Sequence, residues 1–274
     1  FNALHVRAPA ALAAACARVG TRLVHISALG CDAPGPVTAY QASKRAGERA
    51  VTAALPTACL VRPSLVFGPG GSSARLFSAL ASLPLIVLPA THGARVQPIH
   101  LDDLVAALVA LVEAGAPGGV HALVGPRALR WRTWLLELRA SMGLGPAPVV
   151  ELPTPFDALV IGAGTVAGSA LVGRDALAML RAGNTADPTV TRRLLGHAPR
   201  EVTAFVPLAL RGAWRHEAAL TWLLPLVRLA LALVWAVSAL VSAGLYPFEA
   251  SLALLAATGL DGAAAWLALF AGVA

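Results

Sequence analysis

Charged side chains are scarce in this sequence. Asp, Glu, Lys and Arg make up 13% of the 274 residues, whereas soluble domains contain about a quarter. Hydrophobic residues make up 57% of the chain, and its mean hydropathy is +0.72. The chain therefore either has a large core or lies partly in lipid, and the mean hydropathy favours lipid.

Lysine is almost absent: Lys44 is the one lysine among 21 Lys and Arg residues, in a chain of net charge +7. The arginines are scattered and form neither a basic run nor the basic and aromatic alternation of nucleic-acid-binding segments. We therefore expect no nucleic-acid partner. The arginines are interpreted as solvated surface charge and as the positive flank of a membrane segment.

Cysteine is also rare. Cys16, Cys31 and Cys59 are odd in number and fall in separate predicted elements. Their spacing matches no metal-binding motif, so we predict no metal site, and unpaired cysteines are typical of a reducing compartment. The chain begins at Phe1 within a predicted element, and we expect it to be part of a longer protein.

The first sixty residues alternate between helix and strand patterns. Residues 8–19 predict a helix, and the apolar run 22–27 predicts a buried strand. Thr38 and Gln41 form a capping-box pair that starts the next helix, and residues 58–62 predict a second strand. Helices and strands joined by short connections indicate an α/β fold with a doubly wound, Rossmann-type parallel sheet.

The alternation continues more loosely as far as residue 143. Helices are predicted near 73–83, from about 102, and over 131–142; strands are predicted over 84–89 and 121–124. Residues 143–155 are rich in proline and predict a connection between subdomains.

No residue from Leu229 to Tyr246 carries a charge, and these 18 residues are mostly Leu, Val and Ala. That length is enough to cross a hydrocarbon core. Three arginines precede the stretch and acidic residues follow it, so the positive-inside rule places the preceding part of the chain in the cytoplasm. A buried core helix is the alternative. A second apolar stretch covers residues 262–274.

Tyr40 and Lys44 are four residues apart on a predicted helix, which puts both on one face. A nearby positive charge favours the ionised form of a phenol, whose pKa is ordinarily near 10. Ser27, at the end of the preceding predicted strand, could hydrogen-bond a substrate oxygen. The three side chains fit proton transfer to or from an alcohol or a carbonyl group. A packing role for Tyr40 is the alternative, but the pairing of the one lysine with one of two tyrosines favours chemistry.

Four blocks carry a family resemblance: LVHISALG, YQASK, VRPSLVFGPG and QPIHLDDLVAAL. In their order and spacing, residues 1–150 resemble the extended or atypical short-chain dehydrogenase/reductases, and the resemblance implies NAD or NADP as cofactor. It implies that Tyr40 is the acid/base, that Lys44 holds the cofactor ribose and that Ser27 orients a small-molecule substrate. The residues implied to line the nicotinamide side are Pro63, Ser64 and Val66.

The chain departs from this family in two places. The glycine-rich pyrophosphate loop of the family lies upstream of these 274 residues. His5 lies where many extended members carry an asparagine of the proton relay.

Two further resemblances concern the C-terminal part. Residues 175–200 resemble bacterial relatives of the dehydrogenase-like accessory subunit of respiratory complex I. The tail from about Trp222 resembles the first helix of a DoxX-like membrane domain. We therefore predict a partial NAD(P)-binding domain over 1–150, a substrate-side subdomain or connector over 151–207, and truncated transmembrane helices over 208–274.

Two other patterns have simpler explanations than a ligand site. Gly162-Ala-Gly-Thr-Val-Ala167 imitates a dinucleotide fingerprint, but the chain after it is too short for a full sheet, so we predict a helix or loop of small residues. His100 beside Asp102 and Asp103 suggests a metal, but capping of a helix start explains the group more simply.

These patterns lead to one hypothesis and one alternative. The hypothesis is a membrane-tethered, NAD(P)-dependent oxidoreductase or epimerase-like enzyme whose nucleotide-binding domain lies on the cytoplasmic side of the membrane. The alternative is a non-catalytic nucleotide-binding scaffold or assembly subunit of a membrane complex. Contact with membrane lipid is expected in both cases.

Overall fold

The computed structural model describes residues 1–32, 38–115, 118–156, 174–241 and 247–273. They form two compact units, Phe1–Ala219 and Leu220–Ala274. The described strands are, in chain order, β1 (Val24–Ile26), β2 (Cys59–Pro63), β3 (Val66–Phe67), β4 (Ile86–Pro89), β5 (Arg95–Val96), β6 (Ile99–His100), β7 (Gly119–Leu123), β8 (Leu129–Arg130) and β9 (Val149–Leu152).

The described α-helices are α1 (Ala8–Val19), α2 (Ala39–Ala54), α3 (Ser72–Ser82), α4 (Leu101–Glu113), α5 (Trp131–Ser141), α6 (Arg174–Ala182), α7 (Thr189–Leu195), α8 (Arg211–Leu240), α9 (Phe248–Ala257) and α10 (Gly262–Val273). A π-helical segment, Ala3–Arg7, leads directly into α1.

Strand β2 shows why the sheet is covered on both faces. It pairs in parallel with β1 on one side and with β7 on the other. Successive side chains of a strand point to opposite faces. Leu60 accordingly packs in a cluster with residues of α1 and α2, while Cys59 and Val61 pack in another with residues of α4. Helices on both faces of a parallel sheet confirm the predicted doubly wound fold.

The predicted helix boundaries in this part of the chain agree with the structure. Helix α2 begins with the capping box: the Thr38 hydroxyl accepts from the Gln41 backbone N–H, and the Gln41 side chain accepts from the Thr38 backbone N–H. At α4 the N-cap is His100, whose ring Nδ1 accepts from the backbone N–H of Asp102 at 3.2 Å. The capping explanation for this histidine is therefore confirmed.

The Pro-rich stretch 143–155 was predicted as a connection, and here the prediction was incomplete. The stretch contains strand β9, which pairs in parallel with β4. Its residues Val149 to Leu152 are only partly buried or exposed. The strand therefore lacks the continuous apolar pattern by which a buried strand is predicted from sequence.

The largest buried cluster lies beyond the three-stranded sheet. Its biggest buried side chains belong to β3, α5 and the segment after α7, and they include Phe67, Trp134 and Phe205. The Phe67 ring stacks on Phe205 and on Trp214, each with a centroid distance of 5.3 Å. Phe205, Val206, Trp214 and Ala218 therefore pack in the core of the first unit.

A buried ion pair joins α2 to β2. Arg62 donates from Nε to Glu48 Oε1 at 2.8 Å and from Nη2 to Glu48 Oε2 at 2.6 Å. The Glu48 side chain is 7% exposed and that of Arg62 14%. Burial acts to raise the pKa of Glu48, but hydrogen bonds from Arg62, Ser27 and Cys31 outweigh it and lower that pKa.

Gly47 allows α2 to approach the N-terminal π-helical segment. A Cβ at this position would lie 2.0 Å from the carbonyl oxygen of His5. Because that oxygen is part of the backbone, no side-chain rotation can relieve the clash. The close approach therefore determines which side chains of the π-helical segment contact α2.

We predict that Gly47→Ala destabilises the protein by roughly 1–3 kcal/mol, the range typical of overpacked positions. The control is Gly212→Ala in α8, because a Cβ at Gly212 meets no atom within 4 Å among the described residues. That change should leave stability equal or slightly higher, since alanine favours helix over glycine. Chemical unfolding measures both variants. Equal stability for the two would contradict the close approach.

We also predict that Glu48→Gln lowers stability by about 3 kcal/mol at pH 7, because it leaves the buried Arg62 guanidinium only partly compensated. The folded-state pKa of Glu48 is lowered, so its charge stabilises the fold above the unfolded pKa of about 4.3. That stabilisation is lost as pH falls through the folded pKa.

The difference between wild type and Glu48→Gln should therefore begin to narrow near pH 4 and shrink further below it, as followed by unfolding at a series of pH values. Glu113→Gln, at an exposed position of α4, is the control and should show little effect at any pH. A Glu48→Gln effect that is constant with pH would refute the assignment of a charged Glu48.

Candidate functional site

Ser27 follows β1 directly and is 4% exposed. Its backbone N–H donates to the Val61 carbonyl at 2.7 Å, and that of Leu29 donates to the Pro63 carbonyl at 2.9 Å. The chain after β1 therefore remains bound to β2 beyond the end of the strand. In open parallel sheets ligands bind outside the carboxyl ends of the strands, which is where Ser27 and Pro63 lie.

Tyr40 and Lys44 lie on the same face of α2, as their spacing predicts. The Lys44 Nζ atom is 6.0 Å from the centroid of the Tyr40 ring. It donates to the carbonyl oxygen of Ile26, the residue before Ser27, at 3.4 Å. Helix α2 thus brings the predicted pair to the end of β1.

His5 contacts the site from the N-terminal helix. Its ring meets the Tyr40 ring edge to face, with centroids 5.8 Å apart. Its Nδ1 lies 2.8 Å from the Ser43 hydroxyl, which itself donates to the Tyr40 carbonyl at 2.7 Å. Because the hydroxyl hydrogen is used there, Nδ1 of His5 is the donor and Nε2 carries the lone pair. Burial lowers the pKa of His5, and the charge of Lys44 lowers it further.

The electrostatics of Tyr40 differ from the expectation drawn from its spacing to Lys44. Burial raises the pKa of the phenol. Burial also lowers the pKa of Lys44, against the opposing charge of Glu48. The prediction of a phenol favoured in its ionised form is therefore wrong for this geometry, because burial disfavours both charged forms. A protonated Tyr40 is suited to donate a proton.

A buried polar network that was not predicted lies behind Ser27. The Ser27 hydroxyl is 3.7 Å from the Cys31 sulfur, and the Cys31 thiol donates to Glu48 Oε1 at 3.2 Å. Glu48 continues the face of α2 that carries Tyr40 and Lys44, since it lies four residues after the lysine. This spacing was the signal by which Glu48 could have been found. Arg62 completes the network by binding Glu48 and Asp32.

The three predicted nicotinamide-side residues occupy different environments. Pro63 ends β2 and lies next to the loop after Ser27. The Ser64 hydroxyl is buried and donates to the Gln97 carbonyl. Val66 lies in β3, pairs with Ile99 and packs against the cluster that contains Leu104. The structure therefore places Pro63 beside the loop after Ser27, Ser64 against Gln97, and Val66 one strand further along.

Two amide side chains beside this edge were missed by the sequence analysis. Gln97 is 2% exposed; its Nε2 donates to the Gly125 carbonyl at 2.8 Å, and its Oε1 accepts from the Ala186 N–H at 3.0 Å. Asn184 donates from Nδ2 to the Leu29 carbonyl at 3.3 Å. Their partners lie far away in sequence, so no local pattern indicated them.

The remaining predicted patterns fall outside this site. Arg200 binds the group at the start of α4: its backbone N–H donates to Asp103 at 2.6 Å, and its Nη1 lies 3.2 Å from Asp102 and from the His100 ring. The Gly162–Ala167 pattern lies outside the described residues.

Parts of the chain are similar to a known family and to curated proteins. Residues 2–134 match the family described as RmlD substrate binding domain. The chain is 37% identical to a ceramide reductase of Caulobacter vibrioides, over 57% of this chain and 49% of that protein. It is 36% identical to a dTDP-4-dehydrorhamnose reductase of Mycobacterium tuberculosis, over 43% of this chain and 44% of that protein.

A third relative is a subunit of a respiratory complex. The chain is 24% identical to NADH dehydrogenase [ubiquinone] 1 alpha subcomplex subunit 9 of Dictyostelium discoideum mitochondria, over 42% of this chain and 32% of that protein. The chain spans about half the length of the two reductases it matches.

Solved structures show the same fold. A nucleoside-diphosphate-sugar epimerase of Staphylococcus aureus superposes with a TM-score of 0.55 at 15% identity, over 71% of this chain and 67% of that one. A Bordetella bronchiseptica enzyme in complex with NAD and UDP superposes with a TM-score of 0.51 at 17% identity, over 80% and 67%. Residues 2–134 are thus similar to the RmlD substrate binding domain family, and the solved structures share the α/β fold of this chain.

Proposed function

We propose that this chain is the catalytic part of a membrane-tethered, NAD(P)-dependent reductase. The observation that carries the proposal is the placement of Tyr40 and Lys44 on one face of α2, with the Lys44 ammonium bound to the carbonyl of the residue before Ser27. The two curated relatives with the higher identities are both named reductases, which supports reduction over epimerisation.

The residues at the carboxyl edge of the sheet fit a nicotinamide cofactor, NAD or NADP. The Lys44 ammonium uses one donor on Ile26, so donors remain for the hydroxyls of a ribose. Tyr40 would bind the same ribose, and Pro63, Ser64 and Val66 would border the nicotinamide. When bound, the nicotinamide supplies the hydride.

The proton-transfer chemistry follows from the geometry around Tyr40. Its pKa is raised by burial, so the phenol carries its proton at neutral pH and can donate it to the oxygen of a carbonyl substrate. The Ser27 hydroxyl would hydrogen-bond the same oxygen and orient it. His5 lies in edge contact with the Tyr40 ring.

A nucleotide-binding scaffold of a membrane complex is the second candidate. It is favoured by the similarity to the Dictyostelium respiratory subunit and by the histidine at position 5. In that case Tyr40 and Lys44 would serve packing and ligand binding without turnover. The two candidates differ in whether removal of the Tyr40 hydroxyl changes a reaction rate.

Membrane tethering is proposed on the properties of the long C-terminal helix. Residues Leu208–Leu240 form a helix of 33 residues whose most apolar 18-residue window has a mean hydropathy of 2.1, and none of that window is buried. Among the described residues this is the one helix that could span a membrane alone; the bent pair Glu249–Ala257 and Gly262–Ala268 could form a second span. Arg211 and Arg215 lie near its start, which favours a cytoplasmic position for the catalytic part.

The resemblance of the tail to DoxX-like domains, and the division at residues 150 and 207, remain predictions. Partners follow from the two candidates: a small-molecule carbonyl substrate and membrane lipid for the reductase, and a membrane-complex subunit for the scaffold. The relatives' names indicate two substrate classes to test, sugar nucleotides and ceramides.

The catalytic proposal predicts that Tyr40→Phe lowers turnover by at least about 100-fold, because general acid catalysis contributes at least that much. Turnover is followed as oxidation of NADH or NADPH with dTDP-4-dehydrorhamnose and with the carbonyl form of a ceramide. Lys44→Ala should in addition weaken cofactor binding. Tyr246→Phe, at the chain's other tyrosine, is the control and should retain wild-type turnover. If Tyr40→Phe turns over substrate at the wild-type rate, the result favours the second candidate, a non-catalytic nucleotide-binding scaffold.

The membrane proposal predicts that the chain sediments with membranes and resists carbonate extraction. Replacing both Leu233 and Val237 by arginine should release it, because each arginine near the centre of a span costs about 2.5–3.5 kcal/mol. Both side chains are exposed, so the fold should tolerate the change. The control replaces Leu12 and Val19, exposed residues of α1, by arginine and should stay membrane-bound. Wild-type protein that is soluble without detergent would refute the tether.

A further inference from the structure

A cavity of about 140 Å³ lies between α3, the glycine-rich turn before it, and residues 210–218. All of its lining residues belong to the first compact unit. Its apolar walls are formed by Ala74, Leu210, Trp214 and Ala218. A cavity of about this size can hold one benzene molecule. The cavity therefore accepts the end of a molecule and is too small for a whole sugar nucleotide.

A hydroxyl group marks the buried part of this cavity. Ser78 lines it and is 3% exposed. The Oγ atom has no hydrogen-bond partner within the part of the chain that the structure describes. Buried polar atoms of this kind are rare, because they lose their hydrogen bonds to water without replacement. Since Ser78 borders a cavity and not only close-packed protein, a group that enters the cavity can supply the missing hydrogen bond.

The open part of the cavity carries a charge of each sign. Arg75 and Glu217 line it, and their side chains are 60% and 68% exposed. The Arg75 Nε atom lies 3.9 Å from Glu217 Oε1, which is beyond hydrogen-bond range. An exposed ion pair at this distance contributes little to stability. A ligand that separates the two groups therefore removes little stabilising energy.

The two charges restrict which ligands fit. A ligand with only a negative charge is repelled by Glu217, and one with only a positive charge is repelled by Arg75. A ligand that carries both signs is attracted by both residues. The first turn of α3 contains no acidic residue and no side-chain cap, so the positive end of the helix favours an anionic group on the Arg75 side.

The helix that supplies Glu217 continues into the proposed membrane span. From Ala218 to Leu240 the sequence has one charged residue, Arg228. Glu217 therefore comes directly before the apolar segment, as expected for a residue near the headgroup layer of a bilayer. A zwitterionic phospholipid presents a phosphate and an ammonium group in that layer, joined by a short linker.

We propose that this cavity binds the phosphoethanolamine headgroup of a membrane phospholipid. The phosphate accepts hydrogen bonds from Arg75 and from Ser78, which lies three residues further along the same helix face. The ammonium donates to the Glu217 carboxylate, which a quaternary ammonium cannot do. This inference rests on the proposed membrane tether and is independent of the proposed reduction.

The test follows the unfolding temperature of the full chain in a neutral detergent as lipid is added. Saturating phosphatidylethanolamine should raise this temperature by about 5 °C, because a ligand that binds only the folded state stabilises it. Phosphatidylcholine has no donor on its ammonium and phosphatidylglycerol has no ammonium, so each should raise it by less than about 1 °C. Glycerophosphoethanolamine, the same headgroup without acyl chains, should give no shift at the concentration that saturates with the lipid.

Three variants separate the proposed contacts. Ser78→Ala should unfold no lower than wild type without lipid, because it removes an unpaired hydroxyl, but it should need about tenfold more phosphatidylethanolamine for half of the shift. Glu217→Gln should respond equally to phosphatidylethanolamine and phosphatidylglycerol, and Arg75→Gln should respond to neither. Arg132→Gln, at an exposed position of α5, is the control and should respond as wild type does.

Three results would overturn the inference. Equal shifts with all three lipids would mean that the chain responds to lipid in general. Unchanged half-saturation in Ser78→Ala and Arg75→Gln would mean that the headgroup binds elsewhere. A glycerophosphoethanolamine shift equal to that of the lipid would exclude the membrane as the source of the ligand. If wild type is soluble without detergent, the tether fails, whereas titration with excess glycerophosphoethanolamine still decides whether the cavity binds the headgroup.

Discussion

The bidentate ion pair between Arg62 and Glu48 determines where helix α2 lies against the sheet. Its two hydrogen bonds of 2.8 and 2.6 Å hold a planar guanidinium against a carboxylate and so restrict both position and rotation of the helix. Glu48 shares its helix face with Tyr40 and Lys44, so any shift of the ion pair would move the proposed catalytic side chains as well. The Cys31 thiol extends the same restraint to the loop beside Ser27.

A second restraint acts on α2 from the opposite direction. Gly47 lets the helix approach the His5 carbonyl more closely than any other residue would. The contact between the His5 and Tyr40 rings depends on this approach, and so does the hydrogen bond from His5 to Ser43. A contact between backbone atoms therefore decides which side chain packs against the phenol ring of Tyr40.

The C-terminal part of the first unit also reaches the carboxyl edge of the sheet. After α6 the chain returns to the carboxyl edge, where Asn184 binds both Arg95 and Leu29. Further on, Arg200 is bound to the first turn of α4. These bonds, made by backbone groups as well as side chains, keep the segment in place.

The sequence alone determined the fold class and the central pair of the site. Strand β2 has side chains buried on both of its faces, and the capping box at Thr38 starts α2 at the predicted residue. The strand and the helix start could be predicted because each depends on residues that are neighbours in the sequence. The same holds for Tyr40 and Lys44, whose shared face follows from helical geometry. Tertiary structure decided what surrounds them: the burial that raises the pKa of Tyr40, the network from Ser27 to Arg62, strand β9, and the contact of Asn184 with Leu29. Each of these joins residues far apart in the chain, and such contacts leave no periodic pattern in the sequence.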